Sequence, residues 1–156
     1  FTLFESKVQP LMDNLRHQVI YNDLNRGNLL VSEDCPDLVS GIIDFGDAVD
    51  SPLICDLAVA CSYFIDESLD PLQRVQSIIQ SFQRVLPLTK TELSILPVLI
   101  AMRLVTTILI TEWRAQQQPD NEAYIRRHTA YAKRAIKVMY GLSTSGRLQT
   151  LAGDTN

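Results

Sequence analysis

The chain has 156 residues, 46% of them apolar and 21% charged, which is the balance of one globular domain with a buried core. Its formal charge of -4 offers no general grip on a nucleic-acid backbone or an anionic membrane surface. Three cysteines, Cys35, Cys55 and Cys61, make an odd number without CxxC spacing; this argues against a disulfide framework and a zinc site and fits a reducing cytoplasm.

The first residues, Phe1-Thr2-Leu3-Phe4, show neither an initiator Met nor a basic-then-apolar signal pattern, so the start reads as a cut inside a longer protein with an N-terminal partner. Phe4, Val8, Leu11, Met12 and Leu15 recur at spacings of three and four, which predicts a lead helix ending near Arg16. Two short apolar runs follow, Val19-Ile20-Tyr21 and Leu29-Leu30-Val31, separated by the polar loop Asn22-Asp23-Leu24-Asn25-Arg26-Gly27-Asn28. A second turn at residues 32–37 leads into the apolar stretch 38–43, and the strands flanking that turn are expected to pair as a hairpin.

Beyond residue 51 the pattern is helical. Ser51-Pro52 matches an N-cap and first-turn proline for a helix to about Asp66, and Asp70-Pro71 repeats the signal for a helix through Val85. Thr89 with Glu92 three positions later forms a capping-box pattern before a long helix to about Gln117. Its apolar stretch, residues 94–110, is interrupted by Pro97 and Arg103 and is shorter than about 20 residues, so a buried core helix is expected rather than a membrane span. Pro119-Asp120-Asn121 breaks the chain before a last helix carrying Tyr124, Ala132, Ala135, Ile136 and Met139 and stopping before Gly141. Residues 1–142 then form one domain, α+β and mainly helical, and residues 143–156 a flexible tail.

Two segments place acids and amides where a plain core has no use for them: residues 21–28 and the run Ile42-Ile43-Asp44-Phe45-Gly46-Asp47. Phosphoryl transfer needs a carboxylate to orient the attacking hydroxyl and accept its proton, and oxygen ligands to hold Mg²⁺ on the phosphates. Asp23 suits the first task. Asn28, five residues on, and Asp44, at the end of the hairpin, suit the second, and hard oxygen donors without histidine point to magnesium rather than zinc.

These motifs, D-x-x-x-x-N at 23–28, I-D-F-G-D at 43–47 and D-L-A at 56–58, resemble the aminoglycoside phosphotransferase and choline kinase family, which shares the C-terminal lobe of protein kinases. The resemblance spans residues 8–139. In wording, the helical half is similar to the hydroxylysine kinases and to the phosphotransferase domain fused to some class III aminotransferases. It implies that Asp23 is the catalytic base, that Asn28 and Asp44 bind magnesium, and that Asp56 braces the loop. It also implies transfer of the γ-phosphoryl group of ATP or GTP to a hydroxyl of a small amine or amino acid. Hydroxylysine leads that list, with aminoglycosides, choline, ethanolamine and homoserine behind it.

Two departures stand out. Tyr21 occupies the position where the family usually has His, with His17 too early to substitute, and Asn22 stands where Gly is common. No Gly-rich phosphate loop or nucleotide lysine is present, so the chain reads as the lobe without its nucleotide-binding partner and as inactive alone. The alternative is a non-catalytic kinase-like scaffold or regulatory module. Asp47 is read as metal or substrate support or a turn cap, and Arg103 as a buried structural ion pair or a ligand for a substrate carboxylate. Trp113 and Tyr124 are assigned to core packing rather than a pocket, and His128 to a surface or partly buried helix position.

Overall fold

The computed structural model describes residues 1–65 and 70–144. The amphipathic opening does not form the single helix its spacing predicts. Helix α1 covers only Thr2–Lys7, and the chain then tightens into a 3-10 stretch, Gln9–Asn14. Pro10 is the physical reason: it has no N–H with which to continue an α-helical ladder. Between the two segments Val8 is fully buried, its N–H donating to the Phe4 carbonyl at 2.9 Å, so the apolar face still reaches the core.

Strand β1 (His17–Ile20) comes next, then β2 (Leu29–Val31), β3 (Val39–Ile42) and β4 (Val49–Pro52). As expected, β2 and β3 pair as an antiparallel hairpin, Leu29 opposite Ile42, with a register irregularity between Leu30 and Val31. The second ribbon was not foreseen: β1 pairs antiparallel with β4, His17 opposite Pro52 and Ile20 opposite Val49. Ser51-Pro52 thus closes a strand and also leads into a helix, with Pro52 at the N-cap position rather than in the first turn. Helix α2 (Leu53–Ser62) has no side-chain cap; the Leu53 N–H donates to the Arg16 carbonyl at 2.8 Å instead.

Helix α2 is apolar almost all round and buries eight residues, from Leu53 and Ile54 through Leu57 to Ser62, as a central core helix must. It stops at Ser62, short of the expected end; Asp66 lies outside the described residues. Helix α3 (Gln73–Val85) is amphipathic and buries Val75 and Ile79. Helix α4 (Lys90–Gln117) matches its predicted bounds, and both halves of the capping box are present, the Thr89 N–H donating to Glu92 Oε2 at 2.7 Å and the Glu92 N–H to Thr89 Oγ1 at 3.2 Å. By length and composition α4 alone, among the described residues, would suffice to cross a membrane. Here it packs against α1, α2 and α6, burying Leu93, Leu96, Leu99, Ile100 and Leu104.

After a 3-10 turn at Pro119–Asn121, Tyr124 lies on a separate short helix, α5 (Glu122–Ile125), and a second 3-10 turn, Arg126–His128, leads into α6 (Thr129–Thr144). The last helix therefore begins later than expected and runs through Gly141, where a side chain would meet only open space, to Thr144. Residues 145–156 of the expected tail, and the side chain of His128, lie outside the described residues. Trp113 and Tyr124 are not core residues: they are 61% and 62% exposed. Trp113 lies on the far part of α4, and Tyr124 stacks with the Arg127 guanidinium 3.6 Å from its ring centre.

One ion pair ties the opening segment to the helical half. Arg16 Nε and Nη2 donate to Glu92 Oε1 and Oε2 at 2.9 and 2.7 Å, and Glu92 is 1% exposed. Burial alone would raise the Glu92 carboxyl, but the bonds from Arg16 and Thr89 outweigh it and hold the pKa below the ordinary 4.5. The pair's contribution is therefore complete above pH 4.5 and lost as the pH falls through the lower folded value. Urea midpoints measured from pH 7 to pH 3 should drop across that window. Arg16→Ala, which strands a buried carboxylate, should cost about 2 kcal/mol at neutral pH and flatten the drop.

Candidate active site

The loop after β1 is shaped by its own side chains. Asn22 has φ 64°, the left-handed region in which Asn is among the few tolerated non-glycine residues. This explains why Asn can stand where Gly is common. Its N–H donates to Asp56 Oδ1 at 2.7 Å, and its Nδ2 donates to the Asp47 carbonyl at 3.3 Å, so the turn is pinned from the first turn of α2 and from the segment before β4. Asn25 caps the short 3-10 turn Arg26–Asn28 by accepting the Gly27 N–H at 2.8 Å. A Cβ on Gly27 would lie 3.1 Å from that accepting oxygen, so the tight approach favours glycine.

Asp23, 18% exposed at its side chain, is where the loop's donors meet. Asn25 Nδ2 and Asn28 Nδ2 donate to its Oδ2 at 3.0 and 2.9 Å, and both also reach the Asp23 carbonyl, at 3.1 and 3.0 Å. The Tyr63 hydroxyl, just past the end of α2, donates to Oδ1 at 3.2 Å, and Arg103 Nη2, from the middle of α4, donates to the same oxygen at 3.3 Å. Burial raises the Tyr63 phenol, with Arg103 opposing and Asp23 reinforcing the shift, so the phenol keeps its proton and remains a donor at neutral pH.

Asp44 sits on the other side of the same locality. The Ile43 N–H donates to the Asn28 carbonyl at 3.0 Å, stitching the end of the hairpin to the loop. Asp44 itself has φ 62° and caps the 3-10 turn Phe45–Asp47 through a long 3.4 Å contact from the Gly46 N–H. Tyr21 holds the two segments together: its hydroxyl donates to the Ile43 carbonyl, and its ring meets Phe45 edge-on with centroids 5.1 Å apart. Partial burial raises the Tyr21 phenol, eased by Asn28 and reinforced by the charges of Asp23, Asp44 and Asp47, so it too stays protonated.

Asp23, Asn28, Asp44, Asp56 and Arg103 are thus linked to one another or to one loop. Asp47 joins them through its backbone; its carboxylate is exposed beside a cavity of about 280 Å³ that Arg103 and Tyr63 also line. Tyr63 and Asn25 escaped the sequence reading. A signal for Tyr63 existed: it lies seven residues after Asp56, on the same face as a helix continues, and therefore below the same loop.

The sequence profile of the phosphotransferase enzyme family matches residues 3–91, a stretch that contains every predicted site residue except Arg103. The chain belongs to that family. It is also 30% identical over 129 residues to hydroxylysine kinase of Mus musculus, and 32% identical over 131 residues to that of Xenopus laevis. These alignments cover 79% and 80% of the chain but only 34% and 35% of the relatives, so the chain spans about a third of their length. No solved structure gives a significant match. Its two small antiparallel ribbons and its helices give the chain a mixed α+β architecture that is mainly helical.

The Asn22–Asp56 bond allows a direct structural check. Asp56→Ala should speed hydrogen exchange at the Asn22 amide by at least tenfold, while amides in the middle of α4 exchange as before.

Proposed function

We propose that this chain is the acceptor- and metal-binding lobe of a kinase that passes the γ-phosphoryl group of ATP or GTP to a hydroxyl of a small amine or amino acid, hydroxylysine first among them. The observation that carries the reading is the convergence of Asp23, Asn28 and Asp44 through the Asn28–Asp23 bonds and the Ile43–Asn28 backbone bond. In this reading the substrate hydroxyl loses its proton to the Asp23 carboxylate as its oxygen bonds to the γ-phosphorus. The bond to the bridging oxygen breaks, and the nucleoside diphosphate leaves. Asn25 and Asn28 orient the carboxylate from one edge, Tyr63 and Arg103 from the other.

The donor set fits magnesium. Asn28 turns its Nδ2 to Asp23, which leaves its amide oxygen free to ligate among the described residues, and Asp44 is exposed with one weak contact on its carboxylate among them. Two such oxygens do not make a self-sufficient site, and among the described residues no three His, Cys, Asp or Glu side chains cluster. Mg²⁺ commonly takes one or two protein oxygens and completes its shell with phosphate and water, and it supplies neutralisation of phosphate charge.

The two ribbons support a lobe that works with a partner. Val19, Leu30, Val39, Ile42, Ile43 and Phe45 are large apolar side chains left exposed on or beside them, a surface that a nucleotide base and an N-terminal lobe of the same polypeptide would cover. In this reading the chain alone lacks turnover, and the whole protein works in the cytoplasm without nucleic acid or membrane. One observation favours the non-catalytic alternative: four side-chain donors already occupy Asp23, as they would in a purely structural hub.

Kinetics on the full-length protein separate the two. Asp23→Ala should lower kcat by at least a hundredfold with nucleotide affinity nearly unchanged, and an unchanged kcat would remove Asp23 from the role of base. Asp44→Ala should shift the magnesium concentration for half-maximal rate upward by about tenfold; an unaltered titration would remove Asp44 from the metal site.

A further inference from the structure

The cavity beside Asp23 has a distribution of charge that the phosphoryl-transfer chemistry does not require. Two of its walls, Tyr63 and Arg103, are the groups that touch Asp23 Oδ1, so the cavity adjoins the carboxylate read above as the base. Along α4 it is lined by Arg103, Thr107, Ile110 and Arg114, spaced i, i+4, i+7 and i+11, which is one stripe of a helix. The Arg114 guanidinium has no hydrogen-bond or ion-pair partner among the described residues, and Arg103 Nε is buried without one. Asp47 faces the same cavity from the loop side, its carboxylate likewise unpaired by hydrogen bond or ion pair among the described residues. Two guanidinium groups stand on one wall and a carboxylate on the other, with Ile110 between the charges along the helix.

We infer that this cavity binds a zwitterionic hydroxy-amino acid, with Arg114 taking its carboxylate, Asp47 its ammonium group, and its hydroxyl left toward Asp23. The inference rests on the phosphotransferase reading and narrows it. A free carboxylate matches the fork of a guanidinium, whereas an acceptor that carries only positive charge gains Asp47 and meets two like charges. Arg103 is already shared with Asp23, so Arg114 is the residue whose whole donor set is available, and it is the specificity residue. It lies outside the stretch matched by the family profile.

The test compares three acceptors on the full-length protein: 5-hydroxylysine, its carboxamide, which keeps the ammonium groups but has lost the carboxylate charge, and choline. Wild type should show kcat/KM at least tenfold higher for the free acid than for either of the others. Arg114→Gln should raise KM for the free acid about tenfold with little change in kcat, Arg114→Lys should recover part of the loss, and the penalty should shrink for the carboxamide. Arg114 is exposed, so an unchanged melting temperature is expected and keeps the comparison free of misfolding. Equal use of acid and carboxamide, or the same KM change for both in Arg114→Gln, overturns the carboxylate site while leaving the kinase reading in place. Failure of wild type to phosphorylate any acceptor with either nucleotide and magnesium overturns both.

Discussion

A half-buried carboxylate cannot be left without donors, and the structure is arranged around satisfying the one on Asp23. Its four side-chain donors come from three places: the loop itself, the residue following α2, and the middle of α4. Together they tie three parts of the chain to the same two oxygens. The strand half and the helical half of the chain are joined at this point by chemistry as well as by packing.

The second joint lies a little further out. Asp56 holds the Asn22 amide from below, Tyr21 holds the Ile43 carbonyl from the side, and the Asn28 carbonyl takes the Ile43 N–H. The loop and the Asp44 turn cannot move apart without breaking the last two of these bonds together. Two non-glycine residues, Asn22 and Asp44, adopt left-handed backbone at the two bends, a conformation that costs about 1 kcal/mol each and persists only where the surroundings hold it. Their position, one on each strand end facing the site, is where such strain is commonly stored.

Local signals were the legible ones. The limits of α4 could be read because its cap is made by residues three apart, and the β2–β3 hairpin because its turn is contiguous. What failed was non-local. Strand β4 has no alternating pattern and exists because β1, some thirty residues earlier, offers it a partner; Ser51-Pro52 does lead into α2, but the strand that ends there carries no local signal. The lead helix was overcounted because its apolar spacing continues through Pro10, which the 3-10 geometry accommodates and an α-helix does not. The same division holds in the site. The acids and the amide in the two motifs were visible as residue types out of place, while Tyr63 and Arg114 are ordinary residues of the helical half whose relevance comes from what the fold sets beside them.

Glu92 carries a consequence for how the chain assembles. Its Oε2 accepts both the Thr89 N–H, three residues away, and Arg16, 76 residues away. The first bond can form as soon as α4 nucleates, on the timescale of a single helix; the second must wait for a long loop to close, which is entropically slow. One carboxylate therefore starts the longest helix and later receives the segment that precedes β1. Folding of the helical half can run ahead, with docking of the opening segment, and with it the pairing of β1, arriving as a later event.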